Sequence, residues 1–179
     1  QALAAMLEAP GSDRVTTAAL AARLEVSEAA LYRHFASKAQ MFEGLIEFIE
    51  SSVFALVDQI TSAGGDGRML ARRSVAAVLQ FAEANPGMTR VMVGDALVFE
   101  NDRLAVRMNH FFDRLESQLR QSLRDAAEAS GSTNAEAAAQ VHASVLTAFT
   151  VGRLQRFARS DFRRLPTENL DGALALIGG

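Results

Sequence analysis

The 179-residue sequence has no cysteine, no tryptophan, one tyrosine and only three prolines. Without cysteine it can form neither a disulfide nor a thiolate metal site, which fits a reducing cytoplasm. Proline is confined to Pro10, Pro86 and Pro166, so the intervening stretches are free to run as long helices. No apolar run approaches the roughly 20 residues of a membrane span, and no signal peptide is evident. Positive charge is scarce: 18 Lys and Arg against 21 Asp and Glu leave a net charge of −3. Any nucleic-acid contact must therefore be local rather than spread over the surface. Catalytic signatures are missing too, with no glycine-rich phosphate loop, no His-Glu metal spacing and no Ser/His/Asp set. The composition thus points away from disulfide scaffolds, membrane proteins and enzymes, and calls for neither cofactor nor metal.

What remains is a chain in which 49% of residues are apolar, rich in Ala, Leu, Arg and Glu, the makings of an all-α protein with a sizeable core. The opening segment Gln1-Ala2-Leu3-Ala4-Ala5-Met6-Leu7 lacks an initiating Met and reads as mid-helix, which leads to the expectation of a preceding basic arm. A first helix runs to about Ala9 and breaks at Pro10-Gly11-Ser12. Thr16 or Thr17 caps a short helix through Leu24, Glu25-Val26-Ser27 makes a tight turn, and a second short helix covers Glu28 to about Phe35.

Ser37-Lys38-Ala39-Gln40 has capping-box spacing, with Gln40 expected to reach back to the cap N–H. In the long helix that follows, Phe42, Leu45, Ile46, Ile49, Val53, Leu56, Val57 and Ile60 form one stripe, and Glu43, Glu47, Glu50 and Asp58 lie together on a different, solvated side. Further helices are expected from Arg68 to Glu83, Met88 to Phe99, Asn101 to Ala129, Asn134 to Ser160 and Thr167 to Ile177. The change from short to long helices places a domain boundary near Ser37, giving a head of short helices over 1–37 and a helical body over 38–179.

Residues 16–35 fit a helix-turn-helix. Leu20, Leu24, Val26, Leu31 and Phe35 would form its small core, with Ala21 and Ala30 where the helices cross. The second helix then projects Ser27, Glu28, Ala29, Tyr32, Arg33 and His34 toward a major groove. Thr16, Thr17 and Ser27 offer hydroxyls and N–H groups at helix N-termini, where phosphate is favoured. Tyr32 and His34 can donate to phosphate, with Lys38 beside them, and Arg33 suits bidentate reading of guanine. Two residues fit less easily. Glu25 stands where such turns favour glycine, costing about 1 kcal/mol if left-handed, and Glu28 brings a negative charge close to phosphate.

The run from Ser27 to Lys38, Ser-Glu-Ala-Ala-Leu-Tyr-Arg-His-Phe-Ala-Ser-Lys, resembles the TetR family of helix-turn-helix proteins. Beyond it, residues 41–50, 85–90, 96–104, 156–162 and Pro166-Thr167 resemble one branch of that family, the nucleoid occlusion factors or SlmA proteins. The resemblance implies a TetR-like fold and a homodimer bound to partly palindromic double-stranded DNA, with several dimers per site an option. It also implies that the DNA-bound form contacts the C-terminal tail of the division protein FtsZ near the fourth and fifth helices. The corresponding positions here are Phe48, Leu56, Ala77, Gln80 and Asn85. Of these, Phe48 and Asn85 agree with the family, while Leu56, Ala77 and Gln80, with Ala84, depart from the larger or basic residues it carries there. Phe48 lies off the buried stripe, as a partner anchor should, although packing on the first helix would also explain it.

The helix from Asn134 carries a stripe of small apolar residues, Ala138, Val141, Val145, Ala148 and Gly152 with Phe149 beside it, while Leu146, Leu154 and Phe157 lie on other sides. A helix apolar nearly all round must bury more than one face, here the chain's own core and a symmetry mate, unless it is wholly interior. The cluster Arg153, Arg156, Arg159, Arg163 and Arg164 reads as a solvated helix end. The competing function is a ligand-responsive repressor, whose pocket would draw polar groups from Asn109, His110, His142 and Thr150.

Overall fold

A computed structural model describes residues 2–9 and 15–177, in which the helices α1 (Ala2–Leu7), α2 (Thr17–Arg23), α3 (Glu28–His34), α4 (Lys38–Ser62), α5 (Gly67–Ala84), α6 (Pro86–Met92), α7 (Asp102–Ala129), α8 (Ala135–Arg159) and α9 (Leu170–Ile177) follow one another. No strand occurs among the described residues. The expected break at Pro10-Gly11-Ser12 lies outside them.

The early helices begin where hydroxyl side chains satisfy otherwise orphaned N–H groups. Thr16 Oγ1 accepts from the Ala19 N–H at 3.2 Å, Ser27 Oγ from Ala30 at 3.1 Å and Ser37 Oγ from Gln40 at 3.2 Å. The reciprocal half of the capping box is displaced by one residue. Gln40 Oε1 accepts from the Ala36 N–H rather than from that of Ser37. Asp66 and Asn101 cap α5 and α7 in the same manner.

The expected helix from Met88 to Phe99 is corrected to a shorter one. Pro86 occupies the first turn of α6, where its missing N–H costs nothing. The helix ends at Met92 because Gly94 turns left-handed (φ 86°), and only a 3-10 turn at Asp95–Leu97 follows.

The body is built from long helices packed side by side. Helix α4 runs in the same direction as α7: Glu50 meets Arg107, Phe54 stacks on Phe111 with ring centroids 5.1 Å apart, and Asp58 meets Gln118. Helix α8 returns antiparallel to α7, Gln140 bonding both Arg120 and Glu116. Glycines permit two close approaches. A Cβ at Gly67 would stand 1.9 Å from the Ser122 carbonyl oxygen of α7, and one at Gly87 would stand 1.9 Å from that of Ala4 in α1. The second approach docks the head onto the body, burying Leu3, Ala4 and Leu7 against α6.

The stripe read for α4 holds from Phe42 to Val57 except at Leu56, and weakens at Ile60. Leu56 is exposed and Ile60 half-buried, whereas Phe54, absent from the expected stripe, is buried. Helix α4 meets both α5 and α7, so its apolar surface is wider than a single seam. The solvated acidic side is also corrected. Glu47 and Asp58 are exposed, but Glu43 and Glu50 are half-buried in ion pairs with Arg103 (2.7 Å) and Arg107 (2.6 Å) of α7.

Candidate nucleic-acid interface

Helices α2 and α3 meet through a four-residue turn, Leu24 to Ser27, whose geometry depends on Glu25. Its φ of 55° is the left-handed conformation in which a side chain costs about 1 kcal/mol relative to glycine. The Val26 N–H returns to the Ala21 carbonyl at 3.0 Å, closing the end of α2. Leu20, Ala21 and Leu31 are buried at the crossing, with Val15 beside them. Leu24, Val26 and Phe35, expected in this core, are instead exposed, Leu24 to 44%. The head is too small to bury them by itself, and α1 leans chiefly on α6 rather than closing over them.

The outward face of α3 is open. Ser27, Glu28, Ala29, Tyr32, Arg33 and His34 are all exposed, as is Thr16, and Thr17 is half-buried. Glu28 is not free-standing, since Thr17 Oγ1 donates to its Oε2 at 2.9 Å, joining the starts of α2 and α3. Tyr32, Arg33 and His34 fall at the end of the helix away from this pair. Lys38 departs from the other eight predicted DNA contacts. Its ammonium is half-buried, ion-paired with Glu100 and 5.7 Å from the centre of the Phe42 ring. Glu100 is only 9% exposed, so withdrawing the lysine toward a phosphate would leave a nearly buried carboxylate unpaired.

Between head and body lies an apolar groove of about 570 Å³, walled by Leu24, Leu31 and Phe35 on one side and by Met41, Leu45, Phe48 and Met88 on the other. Phe48 is 48% exposed at its edge. Composition hinted at this groove only indirectly, through apolar residues at Leu24 and Phe35 that a three-helix head could not fully cover. The other predicted partner residues lie outside it. Leu56 is exposed on α4, Gln80 is exposed on α5, and Ala77 and Asn85 are half-buried, Asn85 Nδ2 donating to the Phe81 carbonyl at 2.7 Å. Gln80 borders a different surface hollow with Thr167 and Asn169.

On α8 the two apolar faces separate cleanly. Ala139, Ala143, Leu146, Thr150, Leu154 and Phe157 are buried in the body. Ala138, Val141, Val145 and Ala148 are exposed, Val141 to 65% and Val145 to 46%, while Phe149 and Gly152 are half-buried. Beside this face His142 is half-buried, its basicity lowered first by burial and then by Arg68 and Arg72. The polar groups considered for a ligand pocket do not converge. Asn109 and His110 are exposed, and Thr150 donates to the Leu146 carbonyl of its own helix at 2.8 Å. In the arginine cluster, Arg153 donates to the Glu168 carbonyl at 2.7 Å and lies over the Phe149 ring, while Arg156, Arg159, Arg163 and Arg164 are exposed. No metal-holding group of three His, Asp or Glu exists among the described residues, and no helix there is long and apolar enough to cross a membrane.

Residues 1–45 match the profile of bacterial regulatory proteins of the tetR family, and residues 69–178 match the tetracyclin repressor-like, C-terminal domain of SlmA-like proteins. The chain belongs to the TetR family, in its SlmA-like branch. It is 51% identical to the nucleoid occlusion factor SlmA of Photobacterium profundum, over 96% of this chain and 87% of that protein. It is 49% identical to that of Vibrio vulnificus, over 99% and 90% of the two chains. Among solved structures, the regulator FadR from Bacillus subtilis in complex with stearoyl-CoA superposes with a TM-score of 0.76 at 10% identity, covering 99% of this chain and 95% of that one. The TetR family regulator PfmR from Thermus thermophilus gives 0.72 at 22%, covering 97% and 93%. These two show the fold alone. TetR-family proteins are DNA-binding regulators and not enzymes, and this SlmA-like chain is one of them.

Proposed function

We infer that this protein is a nucleoid occlusion factor, a homodimer that binds partly palindromic chromosomal sites through α3 and, while bound, engages the C-terminal tail of FtsZ to oppose ring assembly over the nucleoid. The observation that carries this reading is the likeness to nucleoid occlusion factors at 47–51% identity through the body as well as the head. The body is the part in which TetR-type proteins differ by function. Exposure of all six outward residues of α3 supports the DNA role, and the uncovered Val141 and Val145 support a symmetry mate on α8. Division at residue 37 into a reading head and a dimerising, partner-binding body belongs to the same reading.

Phe48 would anchor the FtsZ tail at the rim of the apolar groove, with Leu56, Ala77, Gln80 and Asn85 extending the surface along α4 and α5. The competing reading, a ligand-responsive repressor, finds less support in the body. Of its candidate polar groups Asn109 and His110 are exposed, Thr150 is bonded within its own helix and His142 alone is half-buried, and α4 is tied to α7 by ion pairs rather than left free to swing.

Co-sedimentation of FtsZ polymers with the protein, with and without its specific DNA, separates the two. DNA-dependent co-sedimentation and loss of polymer are expected. No FtsZ association, together with release of DNA by a small apolar or cationic effector, would replace this function with the repressor.

A further inference from the structure

We propose that the ion pairs joining α4 to α7 are positioning residues for DNA recognition, setting the distance between the two heads and so the half-site spacing that the dimer accepts. The proposal rests on the reading of α3 as the DNA-reading helix of a homodimer.

Three charge pairs cross between these elements in register. Lys38 meets Glu100 just before α7, Glu43 meets Arg103 at 2.7 Å, and Glu50 meets Arg107 through two bonds, Nη2 to Oε2 at 2.6 Å and Nε to Oε1 at 3.1 Å. Arg107 Nη1 also reaches the Glu43 carbonyl at 3.5 Å. All three pairs lie on the half of α4 that carries the head. Apolar packing beneath them is non-directional and tolerates small slides and tilts, whereas a bidentate guanidinium–carboxylate pair fixes both distance and orientation. The Arg107 guanidinium is held above its ordinary basicity, mainly by the hydrogen bond to Glu50, so the arginine side of the pair stays charged.

Leverage makes this fixing matter. Helix α4 has 25 residues, which at 1.5 Å each makes it ~37 Å long. A tilt of about 5° about its far end would move the head by ~3 Å, close to the ~3.4 Å rise of one base pair. In a two-fold dimer the heads move oppositely, doubling the change. Whatever holds α4 to within a few degrees therefore decides whether two recognition helices meet half-sites about one turn apart.

The test uses the full chain and duplexes bearing either one half-site or two half-sites whose spacing steps by single base pairs, with affinity read by fluorescence anisotropy. Wild-type affinity is expected to fall tenfold or more one base pair from the optimum. Arg107→Met should keep single half-site affinity within about twofold and reduce the spacing penalty below threefold. Glu50→Gln, which breaks the same pair from the other side, should do likewise and serves if Arg107→Met fails to fold. Arg107→Lys, which keeps the charge but not the two-bond geometry, should recover only part of the penalty. A folded Arg107→Met or Glu50→Gln protein with the wild-type spacing penalty overturns the proposal. Absence of wild-type binding to any half-site would overturn the DNA-reading role of α3 itself, a separate result.

Discussion

Gly87→Ala tests whether the head is seated on the body where the structure puts it. The new Cβ would lie 1.9 Å from the Ala4 carbonyl oxygen, a backbone atom that cannot rotate away. Ordinary carbon–oxygen contact is about 3.3 Å, so α1 and α6 must part by roughly 1.4 Å. Overpacking of this kind costs about 1–3 kcal/mol. Complete separation would forfeit the burial of Leu3 and Leu7, which sets an upper bound of about 3–6 kcal/mol for two leucines. The expected loss is thus about 2–4 kcal/mol, or a melting temperature lower by roughly 5–15 °C for a chain of this size. Gly44→Ala is the control. It lies inside α4 with nothing within 4 Å of its added Cβ, so better helix propensity should stabilise by about 0.5–1 kcal/mol. Denaturant and thermal unfolding of both variants measure the pair. A Gly87→Ala protein within about 0.5 kcal/mol of wild type would show that α1 does not approach α6 this closely, and the docking of the head would have to be redrawn.

Three further outcomes concern the proposed surfaces. Arg33→Ala should cost roughly 1–3 kcal/mol per half-site and relax base preference if the side chain reads guanine; an unchanged preferred sequence with a shallower salt slope would make it a phosphate contact. Phe48→Ala should weaken binding of an FtsZ tail peptide tenfold or more, on the scale of about 1.5–3 kcal/mol for a buried aromatic, with DNA affinity intact. Loss of both activities would point to misfolding instead. Val145→Glu places a charge on the exposed α8 face and should shift the protein to monomer in sedimentation equilibrium, and persistence of a dimer would move the interface elsewhere.

How far the sequence reveals these features follows from how local each one is. Hydroxyls at Thr16, Ser27 and Ser37 announce helix starts because a cap is made within four residues, and each accepts such a bond, though the structure chooses Thr16 over Thr17 and turns Gln40 to Ala36. Glu25 is readable for the same reason: a turn this tight needs a left-handed residue, whatever its side chain. Exposure of the α3 face and of the small-residue stripe on α8 follows from helical periodicity. Non-local features are not legible in this way. Nothing in the spacing of α4 shows that Phe54 finds Phe111, or that Glu50, on a face that looks solvated, meets an arginine 57 residues later. Likewise, Leu24 and Phe35 look like core until the packing of α1 on α6 leaves them bordering a groove. The end of α6 escapes a reading by propensity because the Gly94 turn outweighs the helix-forming residues around it.

The charge of the head makes a last prediction that follows from counting cations. Residues 15–38 hold Arg23, Arg33 and Lys38 against Glu25 and Glu28, and Lys38 is already paired with Glu100. Two exposed arginines per head therefore remain to displace counterions, four in a dimer, and Arg14 lies outside the described residues. At about −0.9 per neutralised phosphate, the plot of log affinity against log salt should have a slope near −3.6, a loss of about 150-fold between 50 and 200 mM. Such a protein must draw much of its affinity from uncharged donors, the hydroxyls and N–H groups at the starts of α2 and α3, and from base contacts along α3. Those terms are insensitive to salt but sensitive to sequence. Discrimination between specific and random DNA should then widen as salt rises, because the non-specific part is the one that salt removes. A measured slope steeper than about −6 for this chain would mean that cations beyond the head reach the duplex, the exposed Arg156, Arg159 and Arg164 being the first to substitute.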